Sequence, residues 1–202
     1  PWCGREELFS VPPVPLFRGR PLRLVAYGRF ASEKNFTALI EAVKLFETGD
    51  VDLQLIGDGP EMAAMAAAAR HHPHIHFRGR IDNPIEFLGD CHAVVVPSRH
   101  EAFGLVATEA RMAARPILVA DVDGLPEQVG EAGLARPMGT PDEIAAAILE
   151  LAKLPLYGIG LDGRRAVAGL PGAILAGWKG VFADAGSETA ATAPVRFLKK
   201  AA

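Results

Sequence analysis

The 202-residue chain is 50% apolar and 22% charged, with a formal net charge of -3. That profile excludes a disordered polypeptide or one that needs disulfides to hold a core, and the acidic balance makes nucleic acid a poor partner, because it gives no long-range attraction to phosphate backbones. The only cysteines, Cys3 and Cys91, stand far apart with no CxxC spacing, which excludes a disulfide framework or a cysteine-based zinc site and fits a reducing cytoplasm.

Residues 1–21 contain Pro12, Pro13, Pro15 and Pro21 and read as an extended leader, since proline is tolerated in neither helix interiors nor central strands. The chain begins Pro1-Trp2-Cys3 rather than with methionine, as expected of a piece of a longer protein. Neither a secretory pattern nor an apolar run approaching the ~18 residues of a spanning helix is expected.

From Leu22 the pattern becomes regular. Leu22 to Tyr27 reads as a strand, and Phe36, Leu39, Ile40, Val43 and Phe46 recur at helical spacing. Val51 to Ile56 predicts a second strand, Pro60 to Arg70 a helix with proline in its first turn, and His74 to Phe77 a short third strand. Asn83 to Leu88 predicts a short helix. Ala93-Val94-Val95-Val96 is the continuous apolar run of a strand covered on both faces, followed by a helix over Gly104 to Ala114. Arg115 to Ala120 predicts a further strand, and Leu134 to Arg136 is a last candidate. Thr140-Pro141-Asp142-Glu143 supplies a capping box for a helix reaching about Lys153.

Strands alternating with helices imply an α/β fold, a doubly wound Rossmann-like parallel sheet with helices on both faces. The expected organisation is a leader over 1–21, a ligand-binding domain over 22–154 and a helical appendage with a tail over 155–202. Within the appendage, Arg164 to Asp184 is compatible with a helix interrupted by Gly169, Pro171, Gly172, Gly177 and Gly180. The tail is small and polar until Val195 to Leu198.

In such sheets ligands bind beyond the carboxyl ends of the strands. The loop after the first strand, Gly28-Arg29-Phe30-Ala31-Ser32-Glu33-Lys34-Asn35, places two fixed cations beside a helix start and suits a diphosphate; alone, Arg29 and Lys34 equally suit solvated surface charges. Gly57-Asp58-Gly59-Pro60 permits close backbone approach but also suits an ordinary tight turn. After the most apolar strand come Pro97-Ser98-Arg99-His100-Glu101-Ala102-Phe103-Gly104-Leu105-Val106-Ala107-Thr108-Glu109. Here Glu101 lies at the sheet edge, Gly104 admits a phosphate to a helix N-terminus, and Glu109 sits just over one turn further in.

Glu101 and Glu109 with the residues between them form an E-x7-E pattern that resembles the signature of family 4 glycosyltransferases, retaining enzymes of the two-Rossmann-domain GT-B architecture. The likeness spans residues 4–153 and rests on further ordered motifs. These are the Gly28-Arg29…Lys34 loop, the Gly57 to Pro60 turn, Gly124-Leu125-Pro126-Glu127, and Gly4 to Phe9, which resembles the linker that follows the family's acceptor domain.

The resemblance implies the donor-binding C-terminal half of such an enzyme, with a nucleotide sugar (UDP-, GDP- or ADP-linked) as donor and no cofactor or metal. It implies that Gly28, Arg29 and Lys34 hold the diphosphate, Glu109 the ribose hydroxyls and Glu101 the transferred sugar, with Arg29, Lys34 and Glu101 carrying the catalysis. The Phe103-Gly104-Leu105-Val106 backbone would meet sugar and phosphate, Asp58 and Gly59 would border the donor, and main-chain groups near Arg80 and Ile81 would read the base. The acceptor would bind a missing N-terminal Rossmann domain, through which alone membrane association is expected, and without which the fragment is expected to lack full activity. The alternative is a binding-only nucleotide-sugar module.

Three departures from the pattern stand out: Asn35 and Asp123, each where glycine is usual, and Arg115, where a small residue is usual. Asp123 is expected to add negative charge at the sugar pocket. Asp121-Val122-Asp123 has the DxD form of a metal site, and His71-His72-Pro73-His74-Ile75-His76 invites a metal reading with His74 and His76 on one strand face. Neither has the additional ligands a site requires. His100 is expected to be a flanking residue rather than a catalytic acid or base.

Overall fold

The computed structural model describes residues 5–188. Its sheet is six-stranded in the order β3-β2-β1-β4-β5-β6, and every pairing is parallel. The strands are β1 (Leu22–Arg29), β2 (Val51–Asp58), β3 (Ile75–Gly79), β4 (Ala93–Val96), β5 (Ile117–Ala120) and β6 (Gly133–Arg136). The helices are α1 (Phe36–Val43), α2 (Met62–Ala68), α3 (Ile85–Leu88), α4 (Leu105–Met112), α5 (Leu125–Val129), α6 (Pro141–Leu151), α7 (Leu156–Val167) and α8 (Leu170–Glu188).

Burial explains the layers. Every residue of β4 and β5 is buried, as continuous apolar strands between two helical layers must be. α1 packs against α2 and α6, whereas α4 packs against α5 and α7, so each group covers one sheet face. Buried Leu39, Ile40 and Val43 supply the inner stripe of α1. The capping box of α6 forms as expected: Glu143 N donates to Thr140 Oγ1 at 3.3 Å and Thr140 N to Glu143 Oε2 at 3.0 Å.

Several sequence boundaries shift. β1 and β2 each continue two residues further, so Arg29 and Asp58 are register partners at the strand ends rather than loop residues. Pro60 precedes α2 instead of opening it: Glu61 N donates to Phe30 O at 3.0 Å and Met62 N to Gly59 O at 3.1 Å, which makes a turn before the helix. Arg115 lies outside β5 because its backbone N–H still donates to Ala110 O at the end of α4.

The expected domain boundary at 154 differs from the observed one: the first compact unit continues to Ala168 and includes α7. Two of the three glycines of α7, Gly160 and Gly163, sit at close contacts. A Cβ on Gly160 would collide with the Ala114 carbonyl, so glycine lets α7 lie close to the end of α4. The expected helix over Arg164 to Asp184 is instead divided between α7 and α8.

The residues from Gly169 onward form a second unit, of which α8 is described; Trp178 and Phe182 stack at 5.8 Å on it. By length and composition alone, the helical stretch Leu156–Ala183 passes for a membrane span, with hydropathy 1.4 and 6% of its most apolar window buried. That corrects the expectation that no apolar run approaches this length. Residues 1–4, with Cys3 and Gly4, and the expected apolar segment Val195 to Leu198 lie outside the described residues.

The leader belongs to the first unit and packs within it through buried Leu8, Val11 and Val14. Two arginines hold it there. Arg115, fully buried, donates to Pro12 O and Gly89 O at 3.0 Å each, to Ala113 O at 3.1 Å, to Ala114 O at 3.3 Å and to Leu88 O. Arg164 donates to Val11 O at 2.6 Å and Met112 O at 2.8 Å. Most of these acceptors are carbonyls at the ends of α3 and α4, where a cation complements the helix dipole.

Candidate functional site

Strand order reverses between β1 and β4. The chain leaves β1 towards β2 on one side and returns to β4 on the other, so the connections after these two neighbours diverge to opposite faces and open a crevice at their carboxyl ends.

One backbone and one side-chain hydrogen bond tie the lips of this crevice together. After β1, a 3-10 turn (Ser32–Lys34) ends at Asn35, whose left-handed φ of 57° starts α1. Asparagine tolerates that conformation better than other non-glycine residues, which accounts for its place where glycine is usual. Asn35 also donates to Met138 O at 3.0 Å and accepts from Arg99 Nε at 3.1 Å, while Arg99 N donates to Glu33 O at 2.8 Å.

Lys34 and Glu101, 67 residues apart, meet across the crevice as an ion pair. Both side chains are mostly buried, with 24% and 17% exposed, and Ser98 Oγ lies 3.4 Å from the same carboxylate oxygen. Below them α4 begins at Gly104, whose φ of 75° suits glycine. Phe103 is half-buried and Leu105 is 44% exposed at this helix start.

Asp123 lies next to Glu101, the setting in which its negative charge is expected. Held at φ 47°, it accepts the Glu101 backbone N–H at 2.8 Å through Oδ2, so its charge fixes the Glu101 loop as a hydrogen-bond acceptor. His100 Nδ1 lies 3.9 Å from the same oxygen in an exposed setting.

A cleft of about 480 Å³ opens at the carboxyl ends of β1 and β2. Of the residues singled out in the sequence, Gly28, Arg29, Gly57, Asp58, Gly59, Arg80 and Ile81 line it. Arg29 is exposed there with no ion-pair partner among the described residues. Gly57 lies so close to the Gly28 carbonyl that a Cβ would strike it, the close approach its sequence suggested. Asp58 Oδ1 accepts the Gly59 N–H at 2.7 Å. Arg80 is paired with Asp82 at 2.9 Å on the surface, and this pairing holds its guanidinium pKa above the usual range.

Lys34, Glu101, Glu109 and the Phe103 to Val106 segment do not line this cleft. Glu109 joins it indirectly. Only 8% exposed, its carboxylate accepts the Tyr27 hydroxyl at 2.7 Å and pairs with Arg5 Nε at 3.2 Å, and Tyr27 and Arg5 both line the cleft. Tyr27 OH also lies 3.4 Å from Val106 O. Burial raises the Glu109 pKa, the Tyr27 hydrogen bond and Arg5 charge lower it, and Glu7 raises it again.

Tyr27, Arg5, Arg99 and the bridging use of Asp123 were not legible as site features. Tyr27 counts as an ordinary strand residue in a periodicity argument, and Arg5 sits in a leader with no regular pattern. Among the described residues no group of three or more His, Cys, Asp or Glu is placed to hold a metal ion. His74 is buried next to His72, with ring centroids 5.7 Å apart, and precedes β3 rather than sharing it with His76. His76 faces Asp52 at 3.4 Å.

With this geometry in hand, comparison with known proteins is specific. The family model described as "Glycosyl transferases group 1" matches residues 21–153. An uncharacterized glycosyltransferase of Methanocaldococcus jannaschii is 35% identical over 130 residues, covering 61% of this chain and 36% of that protein. The chain spans about a third of the length of the curated relatives it matches.

Among solved structures, Staphylococcus aureus TarM, in complex with UDP among other ligands, matches with a TM-score of 0.72 at 21% identity, covering 85% of this chain and 37% of that one. The C-terminal domain of a glycosyl transferase group 1 family protein from Francisella tularensis matches with a TM-score of 0.63 at 22% identity. There the coverage is 83% of this chain and 93% of that one. At such identities the likeness is one of fold.

Proposed function

The chain belongs to the group 1 glycosyl transferases, and on that footing we propose that it is the donor-binding part of a retaining enzyme that moves a sugar from a nucleoside diphosphate to an acceptor. The observation that carries this reading is the Lys34–Glu101 pair. It joins the cationic turn after β1 to the loop that opens α4, at the crevice where the sheet order reverses. UDP in the fold neighbour TarM supports a nucleotide as the ligand class.

In this reading the nucleoside occupies the 480 Å³ cleft. Backbone near Arg80 and Ile81 meets the base, and Glu109 receives the ribose hydroxyls. The diphosphate lies towards Arg29, Lys34 and the start of α4, and the sugar lies against Glu101.

As the bond from the anomeric carbon to the phosphate oxygen breaks, the sugar becomes oxocarbenium-like and negative charge gathers on the departing phosphate. Arg29, Lys34 and the α4 N–H groups stabilise that charge, at roughly 3 kcal/mol per well-placed donor. The departing phosphate takes the acceptor's proton on the same face, and the acceptor oxygen forms the new bond there. This retains configuration without a separate protein base. Acceptor contacts are assigned to a preceding domain of the whole protein, which works in the cytoplasm.

Calorimetry of the chain with UDP, GDP and ADP and their glucose conjugates tests this. One nucleotide series binds, and Lys34→Ala and Glu109→Ala each weaken it about tenfold or more, about 1.4 kcal/mol. Equal binding by all three proteins, or no binding by the unmodified chain, refutes the site.

A further inference from the structure

Arg5 belongs to the leader, yet its side chain reaches into the cleft. Its Nε lies 3.2 Å from Glu109 Oε1, and its Nη1 donates to the Asp82 carbonyl at 3.0 Å. One guanidinium therefore bridges α4 to the turn that follows β3, the two walls between which the nucleoside is proposed to lie. Tyr27 holds the other carboxylate oxygen, Oε2, at 2.7 Å. Tyr27 is itself packed edge-on against Phe87, with centroids 4.9 Å apart.

Oε2 thus accepts one hydrogen bond and Oε1 faces the Arg5 cation, and with two lone pairs each oxygen retains capacity for a further donor. A pair of vicinal hydroxyls requires two such acceptors held at fixed spacing. A carboxylate gripped at both oxygens meets that need without losing rotamer freedom when the ligand arrives.

We propose that Arg5 is a positioning residue for the nucleoside half of the donor: by bridging Glu109 and the turn at Asp82, it orients the carboxylate towards the ribose and sets the cleft's width there. This rests on the nucleotide-sugar reading above. It also gives the leader a direct part in donor binding. The opposite role, a leader arginine that occupies the ribose position and has to be displaced, predicts the opposite sign.

The test is calorimetry with whichever nucleoside diphosphate the unmodified chain binds, and with its 2′,3′-dideoxy counterpart, on Arg5→Ala, Arg5→Lys, Glu109→Ala and the Arg5→Ala/Glu109→Ala double variant. Arg5 has 39% of its side chain exposed, so the alanine variant is expected to fold. Arg5→Ala weakens the diphosphate about tenfold and the dideoxy analogue less than about twofold. It adds little in the Glu109→Ala background, as expected of two residues acting through one contact. Arg5→Lys recovers part of the loss, because a single ammonium cannot span both walls.

A pH series adds a signature that loosened packing does not produce. The groups facing Glu109 are Arg5, Tyr27 and Glu7. Removing the cation raises the carboxyl's pKa further, so acid weakening of diphosphate binding begins at a higher pH in Arg5→Ala than in the unmodified chain.

Unchanged or tighter binding by Arg5→Ala overturns the proposal, as does equal weakening of the dideoxy analogue, a full additive loss in the double variant or an unmoved acid limb. If the unmodified chain binds no nucleoside diphosphate, the functional reading fails and this inference with it. If Glu109→Ala weakens binding and Arg5→Ala does not, only the role of Arg5 falls.

Discussion

Replacing Arg115 with methionine removes a fully buried cation that has five backbone carbonyls among its hydrogen-bond partners. Replacing a buried ion pair by apolar side chains is often neutral, because both charges leave together. Here the partners cannot leave. The carbonyls of Pro12, Leu88, Gly89, Ala113 and Ala114 remain, and methionine donates to none of them.

Hydrogen bonds from a charged donor contribute about 1.5–3 kcal/mol each, though not additively. Some carbonyls will recover water once the leader loosens, so a loss of about 3–5 kcal/mol is expected, the scale for breaking a buried polar hub. With a urea slope of about 2 kcal/mol/M, the unfolding midpoint falls by about 1.5–2.5 M. Arg115→Lys keeps the charge but spans fewer acceptors and recovers only part of this. A midpoint for Arg115→Met within about 0.5 M of the unmodified chain would falsify the view that this arginine, unusual at its position, ties the leader to the ends of α3 and α4.

Glu101→Gln releases Lys34 from its ion pair. Nucleoside diphosphate binding is then unchanged or a few-fold tighter, while the added affinity from the sugar falls by about tenfold or more; parallel losses for both ligands count against separate sugar and phosphate roles. His92, 3% exposed, accepts the Arg23 N–H on Nδ1 at 2.9 Å, and burial, with Arg23 and Arg115 nearby, holds its pKa at about 4 against an ordinary 6.5. The unfolded chain therefore takes the proton first, and His92 contributes stability in full above pH 6.5 that is lost as pH falls towards about 4, on the order of 3 kcal/mol. His92→Asn, which keeps an acceptor without a titrating ring, flattens that acid slope in urea titrations at pH 7, 5.5 and 4.5; an unaltered slope assigns it to other groups.

The expected elements over 22–151 were legible because burial leaves a local record. A strand covered on both faces needs the unbroken run seen at Ala93 to Val96, and a surface helix needs the stripe at Leu39, Ile40 and Val43. The same locality made the two glutamates and the cationic turn visible, since each lies within a few residues of a strand end.

Local pattern does not report which distant side chains meet. The lengths of β1 and β2 were underestimated because Arg29 and Asp58 are polar residues whose strand state comes from pairing with each other. The close contact of Gly160 with the turn after α4 leaves no local signal. Asp123 stood out in the sequence as a negative charge, but its use as an acceptor for the Glu101 backbone has no local signal.

The amino-acid order alone thus determined the alternating α/β architecture and the candidate loops, because hydrophobic period and turn chemistry act over a few residues. Only the folded chain brought Lys34 to Glu101, joined Glu109 to the cleft through Arg5 and Tyr27, and surrounded Arg115 with carbonyls. Those contacts join segments far apart in sequence, and their geometry exists only once the sheet has set the spacing between its strand ends.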